Sequence, residues 1–177
     1  MGERLNMLLT FSKMEDAAVL SKSAFALDGL LEDVFAEYAP RMEDRGIAFD
    51  ITAPPGVKVY ADRARIRMAV SNYLSNAVKF TPEGGEIRLA LEAVRKRRAR
   101  VSVYNSGSHV PKEDLERIWN YLDVSEGTGG TRTGTGLGLP IVRRIVTLHD
   151  GRCGVENTAD GVVFWFEVPI GKEKKPS

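Results

Sequence analysis

Apolar residues recur at helical spacing in several stretches of the chain. In the clearest of them, between Leu27 and Asp44, six apolar residues follow the i, i+3, i+4, i+7 pattern of an amphipathic helix, which we expect to end at Gly46. Composition alone predicts an N-terminal helix, and Asp62 is a suitable N-cap for a central one. The predicted helices cover Arg4 to about Leu20, Leu27–Asp44, Asp62–Phe80, Pro111 to about Tyr121, and Gly134–His149.

Short apolar runs bounded by turn residues predict six strands, some of them paired as hairpins. The segment Leu122–Thr133 is rich in Gly, Thr and Ser, so we expect a mobile loop there. Because helices alternate with hairpin-like strand pairs, the order of elements predicts an α+β fold of two layers, a mixed sheet covered by helices on one face. The predicted strands are Ile47–Ile51, Val57–Tyr60, Ile87–Val94, Arg100–Asn105, Arg152–Glu156 and Val162–Val168.

The central predicted helix carries a polar stripe. At 100° per residue, Asn72, Asn76 and Lys79 lie within about 60° of one another, while apolar residues such as Leu74 project from the opposite side. Asn is a poorer helix former than Ala by roughly 0.5 kcal/mol, so two of them on one stripe indicate a function. A magnesium ion bound to phosphate is a suitable partner for such a stripe.

Composition narrows the class of protein. The 177 residues suffice for one domain with at most a helical appendage, and a hydrophobic content of 43% suffices for a core. A formal net charge of +1 argues against a function that depends on overall charge. The single cysteine, Cys153, excludes an internal disulfide and indicates a reducing compartment, so we expect a cytoplasmic domain whose parent protein can still be membrane-anchored. No apolar run approaches the ~20 residues of a transmembrane helix.

Two further features have the chemistry of a nucleotide site. Gly134, Gly136 and Gly138 lead directly into a helix, where backbone N–H groups and the helix dipole bind anions such as phosphate; alternatively, the run is only a turn. Neither a dinucleotide fingerprint nor a P-loop fits the run. Asn105 ends a strand shortly before Gly107, and its amide suits the amino edge of adenine, although this pattern is also common in turns.

Together these motifs resemble the catalytic, ATP-binding domain of sensor histidine kinases, within a wider group that includes gyrase-type, mismatch-repair and heat-shock ATPases. The resemblance covers Leu27 to Pro169 and implies a Bergerat-type ATP-binding fold. Four segments carry it: Asn72–Pro82 looks like the N box, Asn105–Gly107 the first glycine box, Ile118-Trp119 the phenylalanine box, and Gly134–Leu139 the second glycine box.

The resemblance implies that the chain binds ATP and Mg²⁺. Asn76 would hold the magnesium ion, and Asn72 and Lys79 would contact the phosphates. Arg132 is a candidate for a γ-phosphate contact, or alternatively a solvated loop charge. No residue is assigned as a catalytic acid, base or nucleophile. The implied nucleotide-binding set is Asn72, Asn76, Lys79, Phe80, Asn105, Gly107, Arg132, Gly134, Thr135, Gly136, Leu137 and Gly138.

The chain also departs from its relatives at informative positions. ATP-hydrolysing members of the wider group carry a water-activating glutamate where this chain has Asn72, which cannot act as a general base. The resemblance therefore implies transfer of phosphate to a protein histidine. The family usually has aspartate at Asn105 and glycine at His109, so we expect weaker ATP binding or weaker discrimination against GTP. We expect His109 to be a loop residue near the pocket mouth, because no metal-ligating partner accompanies it. The usual aromatic residue and arginine are missing from Asn120–Asp123.

The phosphate-accepting histidine of such kinases lies on the first helix of a dimerisation hairpin, upstream of the N box. Here the two histidines, His109 and His149, lie downstream, and Arg4–Glu15 resembles the end of the second hairpin helix. We therefore expect the chain to begin after the acceptor and not to autophosphorylate alone. The expected partners are an acceptor hairpin of the same or a partner chain, a response regulator, and a second copy in a homodimer. The expected domains are residues 1–22, the end of the hairpin; 23–171, the catalytic domain; and 172–177, a charged tail.

Three alternatives stay open. A degenerate module that binds nucleotide as a sensor or scaffold, without phosphotransfer, fits Asn105, His109 and the eroded phenylalanine box. Nucleic-acid binding through Arg95–Arg100 is a second alternative, but basic hairpin turns are usually solvated and no aromatic platform is expected beside them, so we expect no nucleic-acid partner. A serine kinase of the anti-sigma type would share the pocket but not the Leu5–Met14 helix.

Overall fold

The computed structural model describes residues 5–6, 8–9, 12–13, 19–120 and 138–171. The strands are β1 (Ser23–Ala26), β2 (Ala48–Thr52), β3 (Lys58–Ala61), β4 (Glu86–Val94), β5 (Arg98–Ser106), β6 (Arg152–Asn157) and β7 (Gly161–Pro169). The helices are α1 (Leu27–Asp44), α2 (Arg63–Phe80) and α3 (Gly138–Leu148), with short 3₁₀ helices at Lys112–Asp114 and Arg117–Trp119. None of the helices within these described ranges is long and apolar enough to cross a bilayer.

Five strands form one mixed sheet in the order β2-β4-β5-β7-β6. β2 runs parallel to β4, and the other neighbouring strands are antiparallel. β1 and β3 form a separate antiparallel pair, in which Phe25 lies opposite Val59. β1 is absent from the predicted elements, because four largely exposed residues are too few to establish an alternating pattern.

The helices cover one face of the five-stranded sheet. Alternate residues of β4 and β5 are buried, as expected for strands with one face in the core. Tyr73 of α2 packs against Phe164 and Phe166 of β7, with ring centroids 5.8 and 5.9 Å apart. Phe35 of α1 packs in the same way on Phe49 of β2, at 5.8 Å. The predicted fold class, a mixed sheet with helices on one face, is confirmed.

Two helix boundaries follow directly from capping residues. α1 has the predicted bounds, and after it Gly46 adopts a φ of +60° while the Ile47 N–H donates to the Met42 carbonyl at 2.9 Å. This is a glycine C-cap. α2 begins directly after Asp62, whose carboxylate accepts a hydrogen bond from the Arg65 N–H at 3.2 Å, so the predicted N-cap is confirmed.

Two other predicted helices are wrong in part. Residues 5–6, 8–9 and 12–13 are helical, but Val19 and Leu20 are not, so the predicted N-terminal helix does not include these last two residues. The predicted helix from Pro111 consists of two separate 3₁₀ turns. Trp119 is the buried residue of these turns, and a single anchor fixes a turn but cannot stabilise a regular amphipathic helix. The predicted loop Leu122–Thr133 and the tail 172–177 lie outside the described residues.

Candidate functional site

The polar stripe of α2 runs from the protein interior to the solvent. Asn72 is 9% exposed, Asn76 is half-buried and Lys79 is exposed. The rotation of the helix is fixed from its other side, where the Tyr73 hydroxyl donates a hydrogen bond to the Trp165 carbonyl at 3.0 Å. Burial raises the pKa of Tyr73 well above its ordinary value, so the phenol stays a neutral donor. The predicted stripe is therefore a real surface of the helix.

The first residue of α3 lies against the first asparagine of this stripe. A Cβ placed on Gly138 would lie 3.5 Å from the Asn72 Oδ1 and 3.8 Å from its Cγ. Behind this contact α3 is anchored by Ile141, Val142 and Ile145, which are at most 1% exposed. The last glycine of the predicted phosphate run and the first residue of the polar stripe are thus neighbours in space.

The C-terminal end of α2 is locked to the end of β5 by a tight corner. Gly107 has a φ of +80°, and a Cβ there would lie 2.6 Å from the Cδ of Pro82. Gly85 is similarly confined, since its Cβ would lie 2.5 Å from the Cγ2 of Thr81. Thr81 is itself buried, and its hydroxyl donates to the Ala77 carbonyl at 2.5 Å. The corner therefore has no free volume, and it fixes the position of β5 relative to α2.

Asn105 is a buried side chain at the end of β5. It is 2% exposed, and its Nδ2 donates a hydrogen bond to the Ser108 Oγ at 2.9 Å. Its backbone is packed equally closely, because a Cβ on Gly161 would lie 2.2 Å from the Asn105 carbonyl oxygen. The Nδ2 also donates to the Ser106 carbonyl at 3.4 Å, so both of its N–H groups have partners and the Oδ1 acceptor is the atom that Asn105 can offer to a ligand.

The segment after Gly107 is an irregular loop held by the turn between β6 and β7. His109 is exposed, and its Nε2 forms a hydrogen bond with the Thr158 carbonyl at 2.8 Å. The Val110 N–H donates to the Asn157 Oδ1 at 2.9 Å, and the Asn157 amide donates back to the Val110 carbonyl at 2.7 Å. The prediction that His109 is a loop residue is confirmed. Among the described residues, no group of three His, Cys, Asp or Glu side chains is arranged to hold a metal ion.

The remaining predicted site residues divide into two groups. Trp119 of the phenylalanine-box segment is 9% exposed and packs edge-on against Phe164, with ring centroids 6.3 Å apart. Phe80, at the last position of α2, is 46% exposed. The other predicted residues lie outside the described part of the chain: Arg132, Gly134, Thr135, Gly136 and Leu137.

A charged cluster on the uncovered face of the sheet is absent from the predictions. Glu167 is fully buried and accepts hydrogen bonds from the Nε of Arg100 at 2.8 Å and the Nε of Arg152 at 2.6 Å. Burial alone would raise the pKa of Glu167, but the hydrogen bonds and charges of Arg152 and Arg100 outweigh it and hold this pKa below its ordinary value. The alternation of residues along each strand places these side chains on one face, and that is the signal that could have found them.

Two aromatic rings on the uncovered face of the sheet are each paired with an arginine. The guanidinium of Arg100 lies 4.4 Å from the ring centroid of Trp165, and that of Arg88 lies 4.5 Å from the ring centroid of Tyr104. Both arginines stack on these rings, so the rings are engaged within the sheet. This arrangement weakens the nucleic-acid alternative.

His149 is a second polar residue that the predictions leave without a role. It is 4% exposed, and its Nε2 accepts a hydrogen bond from the backbone N–H of Asp62 at 2.9 Å. The signal was present in the sequence, because His149 follows Val142 and Ile145 at i+7 and i+4 on the buried side of the predicted helix. It joins the end of α3 to the start of α2.

A cavity of about 700 Å³ lies between α3, β6 and the 3₁₀ turns. Its described lining residues include Trp119, Arg143 and Cys153. They include no residue of the predicted nucleotide-binding set. Burial raises the pKa of the Cys153 thiol to about 11, which keeps the sulfur protonated and poorly nucleophilic. Among the described residues, the cavity and the predicted nucleotide-binding set therefore have no residue in common.

Comparison with known proteins gives the same assignment along most of the chain. Residues 61–172 match the family described as "Histidine kinase-, DNA gyrase B-, and HSP90-like ATPase". The sensor histidine kinase AruS of Pseudomonas aeruginosa is 37% identical over 176 residues, which is 94% of this chain and 17% of AruS. The adaptive-response sensory kinase SasA of Microcystis aeruginosa is 30% identical over 154 residues, which is 85% of this chain and 40% of SasA. The chain thus spans less than half the length of these relatives.

Solved structures agree with the sequence relatives. The catalytic domain of histidine kinase ThkA has a TM-score of 0.74 and 35% identity, covering 85% of this chain and 97% of that one. Full-length ShkA in complex with AMPPNP has a TM-score of 0.84 and 32% identity, covering 99% of this chain and 37% of ShkA. ThkA in complex with the response regulator TrrA has a TM-score of 0.79 and 30% identity, covering 98% of this chain and 49% of that one.

The match covers the polar stripe of α2, the buried Asn105 at the end of β5 and the glycine that opens α3, and the fold agrees with that of a complete histidine kinase catalytic domain. The chain therefore belongs to the histidine kinase-, DNA gyrase B- and HSP90-like ATPase family, as an ATPase catalytic domain of the two-component sensor histidine kinase type.

Proposed function

We propose that the chain binds ATP with Mg²⁺ between the polar stripe of α2, Asn105 and the start of α3, and delivers the γ-phosphate to a histidine on a dimerisation hairpin. The approach of Gly138 to within 3.5 Å of the Asn72 Oδ1, measured from a Cβ placed on the glycine, carries this proposal. A helix N-terminus preceded by glycines binds phosphate, and this one opens directly beside the asparagine stripe. The neighbouring elements α2, α3 and β5 can therefore contact the phosphates, the metal ion and the base of one nucleotide.

Asn76 is the proposed magnesium ligand. It is half-buried between the buried Asn72 and the exposed Lys79, and its amide oxygen is the hard, neutral donor that magnesium accepts when a triphosphate supplies the charge. When bound, the ion neutralises charge on the phosphates. Asn72 and Lys79 bind the phosphates by hydrogen bond and by charge respectively.

Asn105 is the proposed adenine contact. Because its Nδ2 is held by Ser108, its Oδ1 accepts from the amino group of the base. Gly107, directly after the strand, supplies the left-handed turn that joins this contact to the end of α2. Phe80 contributes an exposed apolar surface at the same end of the helix.

Six predicted residues form the proposed phosphate end of the site. Arg132 is the proposed γ-phosphate contact, and the glycine run provides backbone N–H donors. Of the run only Gly138 belongs to the described residues. The set is Arg132, Gly134, Thr135, Gly136, Leu137 and Gly138.

The proposed reaction is phosphoryl transfer without hydrolysis by this domain. Asn72 has no basic group with which to activate water. His149 is not a suitable acceptor, because it is buried and bonded through both ring nitrogens. His109 is an exposed loop residue bonded to the Thr158 carbonyl, whereas the resemblance places the acceptor on a hairpin helix. The acceptor is therefore proposed to lie on a separate hairpin, in the same or a partner chain.

The organisation around this domain is also a proposal. Residues 1–22 belong to the dimerisation hairpin, 23–171 form the catalytic domain and 172–177 are a charged tail. A homodimeric parent protein and a response regulator are the proposed partners, supported by the complex of the neighbour ThkA with the response regulator TrrA. We propose a cytoplasmic location on the basis of the single unpaired thiol, Cys153, and no nucleic-acid partner.

Calorimetric titration of ATP with and without Mg²⁺ tests the site. The native chain is expected to bind ATP more tightly with Mg²⁺, and Asn76→Ala should lose most of this dependence, about a tenfold effect if one ligand to a charged group is removed. Ser75→Ala is the matched control, because Ser75 is an exposed neighbour on the same helix. A native chain that does not bind ATP, or an Asn76→Ala variant with unchanged magnesium dependence, would contradict the assignment.

Phosphotransfer is tested by mixing the chain with labelled ATP and a separately prepared hairpin that carries the acceptor histidine. We expect label in the hairpin and none in the chain incubated alone. Label in the isolated chain would contradict the proposed acceptor. Tight nucleotide binding without transfer to any acceptor hairpin would favour the alternative of a degenerate sensor or scaffold module.

A further inference from the structure

His149 connects the C-terminal end of α3 to the N-terminal end of α2, the two helices of the proposed nucleotide site. It directly follows α3, and it is 4% exposed. Its Nδ1 donates to the Ile145 carbonyl at 2.7 Å, and its Nε2 accepts from the Asp62 N–H at 2.9 Å. One imidazole therefore satisfies a carbonyl near the end of α3 and a backbone donor at the start of α2.

Asp62 is itself the junction of three segments. Its Oδ1 accepts from the Arg65 N–H at 3.2 Å, as the N-cap of α2, and its Oδ2 accepts from the Ser21 N–H at 3.0 Å. Its own backbone N–H donates to the Nε2 of His149. The start of α2 is thus held by one hydrogen bond to α3 and one to the segment before β1.

The contact at His149 and the contact at Gly138 lie at opposite ends of the same helix pair. From Asp62 to Asn72 along α2, and from Gly138 to His149 along α3, the rise of 1.5 Å per residue gives a separation of about 15 Å. Interdigitated apolar side chains hold the two helices together and limit sliding along the helix axis. A directional hydrogen bond at one end adds a fixed point for the axial register that the other end requires.

We propose that His149 is a positioning residue for nucleotide binding, which holds α3 in the axial register on α2 that places Gly138 beside Asn72. This inference rests on the proposed function, because it takes the helix pair as the phosphate-binding wall. His149 itself lies too far from the stripe to touch the nucleotide. Its effect is exerted through the two backbone groups that it joins.

The charge state of His149 decides whether the junction can form. Burial lowers its pKa; the Ile145 carbonyl and Asp62 act in the opposite sense, whereas the nearby cations Lys22 and Arg65 lower it further. A protonated imidazole would place an N–H against the Asp62 N–H. Since the unfolded chain protonates near pH 6.5 and the folded one only at lower pH, the junction stabilises the fold above about pH 6.5 and this contribution is lost progressively below it.

Two substitutions at this position separate the junction from simple packing. In His149→Gln the terminal amide oxygen takes the place of Nε2 and can still accept from the Asp62 N–H. In His149→Asn the shorter side chain keeps a donor for the Ile145 carbonyl but no longer reaches Asp62. The affinity of the full chain for a fluorescent ATP analogue with Mg²⁺ is measured for both, together with thermal stability. Gly56→Ala serves as a control that lowers stability in the turn before β3, at the other end of that strand from Asp62.

We expect His149→Asn to bind the analogue about tenfold more weakly, as for a buried donor left unpaired, and His149→Gln to stay within about threefold of the native chain. Between pH 7.5 and 5.5 the native affinity should fall more steeply than that of His149→Gln. The inference would be overturned if both His149 variants bound the analogue equally well, or if the pH profiles of the native chain and His149→Gln were parallel. It would also be overturned if Gly56→Ala lost as much affinity as His149→Asn. If the native chain bound no nucleotide, the proposed function would fail as well, whereas tight native binding with an unaffected His149→Asn would remove the inference alone.

Discussion

Substitution of Gly107 by alanine tests the corner that joins α2 to β5. Gly107 has a φ of +80°, and an added Cβ would meet the Pro82 ring at 2.6 Å from Cδ and 2.8 Å from Cγ. Gly56 offers a matched position, because its φ is +89° and nothing lies within 4 Å of an added Cβ. The two alanine variants therefore share the backbone strain and differ in the steric contact.

The expected losses in the free energy of unfolding follow from the backbone strain and the steric contact. Placing an L residue in the left-handed region costs about 1–2 kcal/mol, partly offset by about 0.4–1 kcal/mol from the stiffer unfolded chain, so Gly56→Ala should cost about 1 kcal/mol. Overpacking a rigid ring adds about 1–3 kcal/mol, which brings Gly107→Ala to about 3 kcal/mol. For a chain of this size these costs correspond to falls in Tm of about 2–4 °C and about 6–12 °C.

Circular dichroism melts and urea titrations of the full chain measure both variants. Asparagine sharpens the comparison, because it tolerates the left-handed region: Gly56→Asn should recover most of the lost stability, whereas Gly107→Asn should not, since the contact with Pro82 persists. Equal losses for Gly56→Ala and Gly107→Ala, or full recovery in Gly107→Asn, would refute the steric reasoning. Gly107→Ala should also weaken ATP binding, because the corner sets the position of the strand end that carries the proposed adenine contact.

Three further outcomes are expected. The pKa of Glu167 is held below its ordinary value, so its ionised form stabilises the fold above the pKa of the unfolded chain, and this stabilisation is lost as the pH falls through the pKa of the folded chain. The free energy of unfolding of Glu167→Gln should therefore depend less on pH below about pH 4.5. Superimposable stability profiles of the native chain and the variant would contradict this. The Cys153 thiol, with a pKa raised to about 11, should react slowly with iodoacetamide at pH 8 until the chain is unfolded, and fast labelling of the folded protein would contradict its burial. Asn105→Asp should increase the preference for ATP over GTP measured by calorimetry; a large preference that is already present in the native chain and unchanged in the variant would contradict the proposed contact.

Elements with a long periodic signal and a recognisable cap were predictable from the sequence. α1 has its predicted bounds because eighteen residues carry an uninterrupted apolar stripe and Gly46 stops it. The Asp62 cap located the start of α2 for the same kind of local reason. β1 and the 3₁₀ turns were not predictable, because each owes its conformation to partners distant in the chain: β1 to β3, and Trp119 to Phe164.

Within the candidate site the sequence specified types of residue but not their neighbours. Motif spacing placed Asn72 and Gly138 in the same predicted pocket, yet their contact depends on how α3 packs on α2. That packing includes the hydrogen bond of His149: its place on the buried side of α3 could be read from the sequence, but its partner, the backbone N–H of Asp62, could not. Glu167 was missed for a related reason, since a lone acidic residue in an apolar strand becomes interpretable only when the arginines of two neighbouring strands are known.

The gradient of exposure along the polar stripe is consistent with the proposal that three residues on one helix contact different parts of the nucleotide. Asn72, almost buried beside Gly138, can address only a group that enters between the two helices, and there a neutral amide avoids the cost of a buried charge. Lys79 is exposed, so its ammonium keeps its hydration and acts through its charge. Asn76 lies between them, dry enough to bind an ion directly and open enough for that ion to keep its waters. Helical periodicity reveals the stripe, but the proposed order of roles rests on the depth of each residue, which is set by the packing of α3 and the sheet around α2.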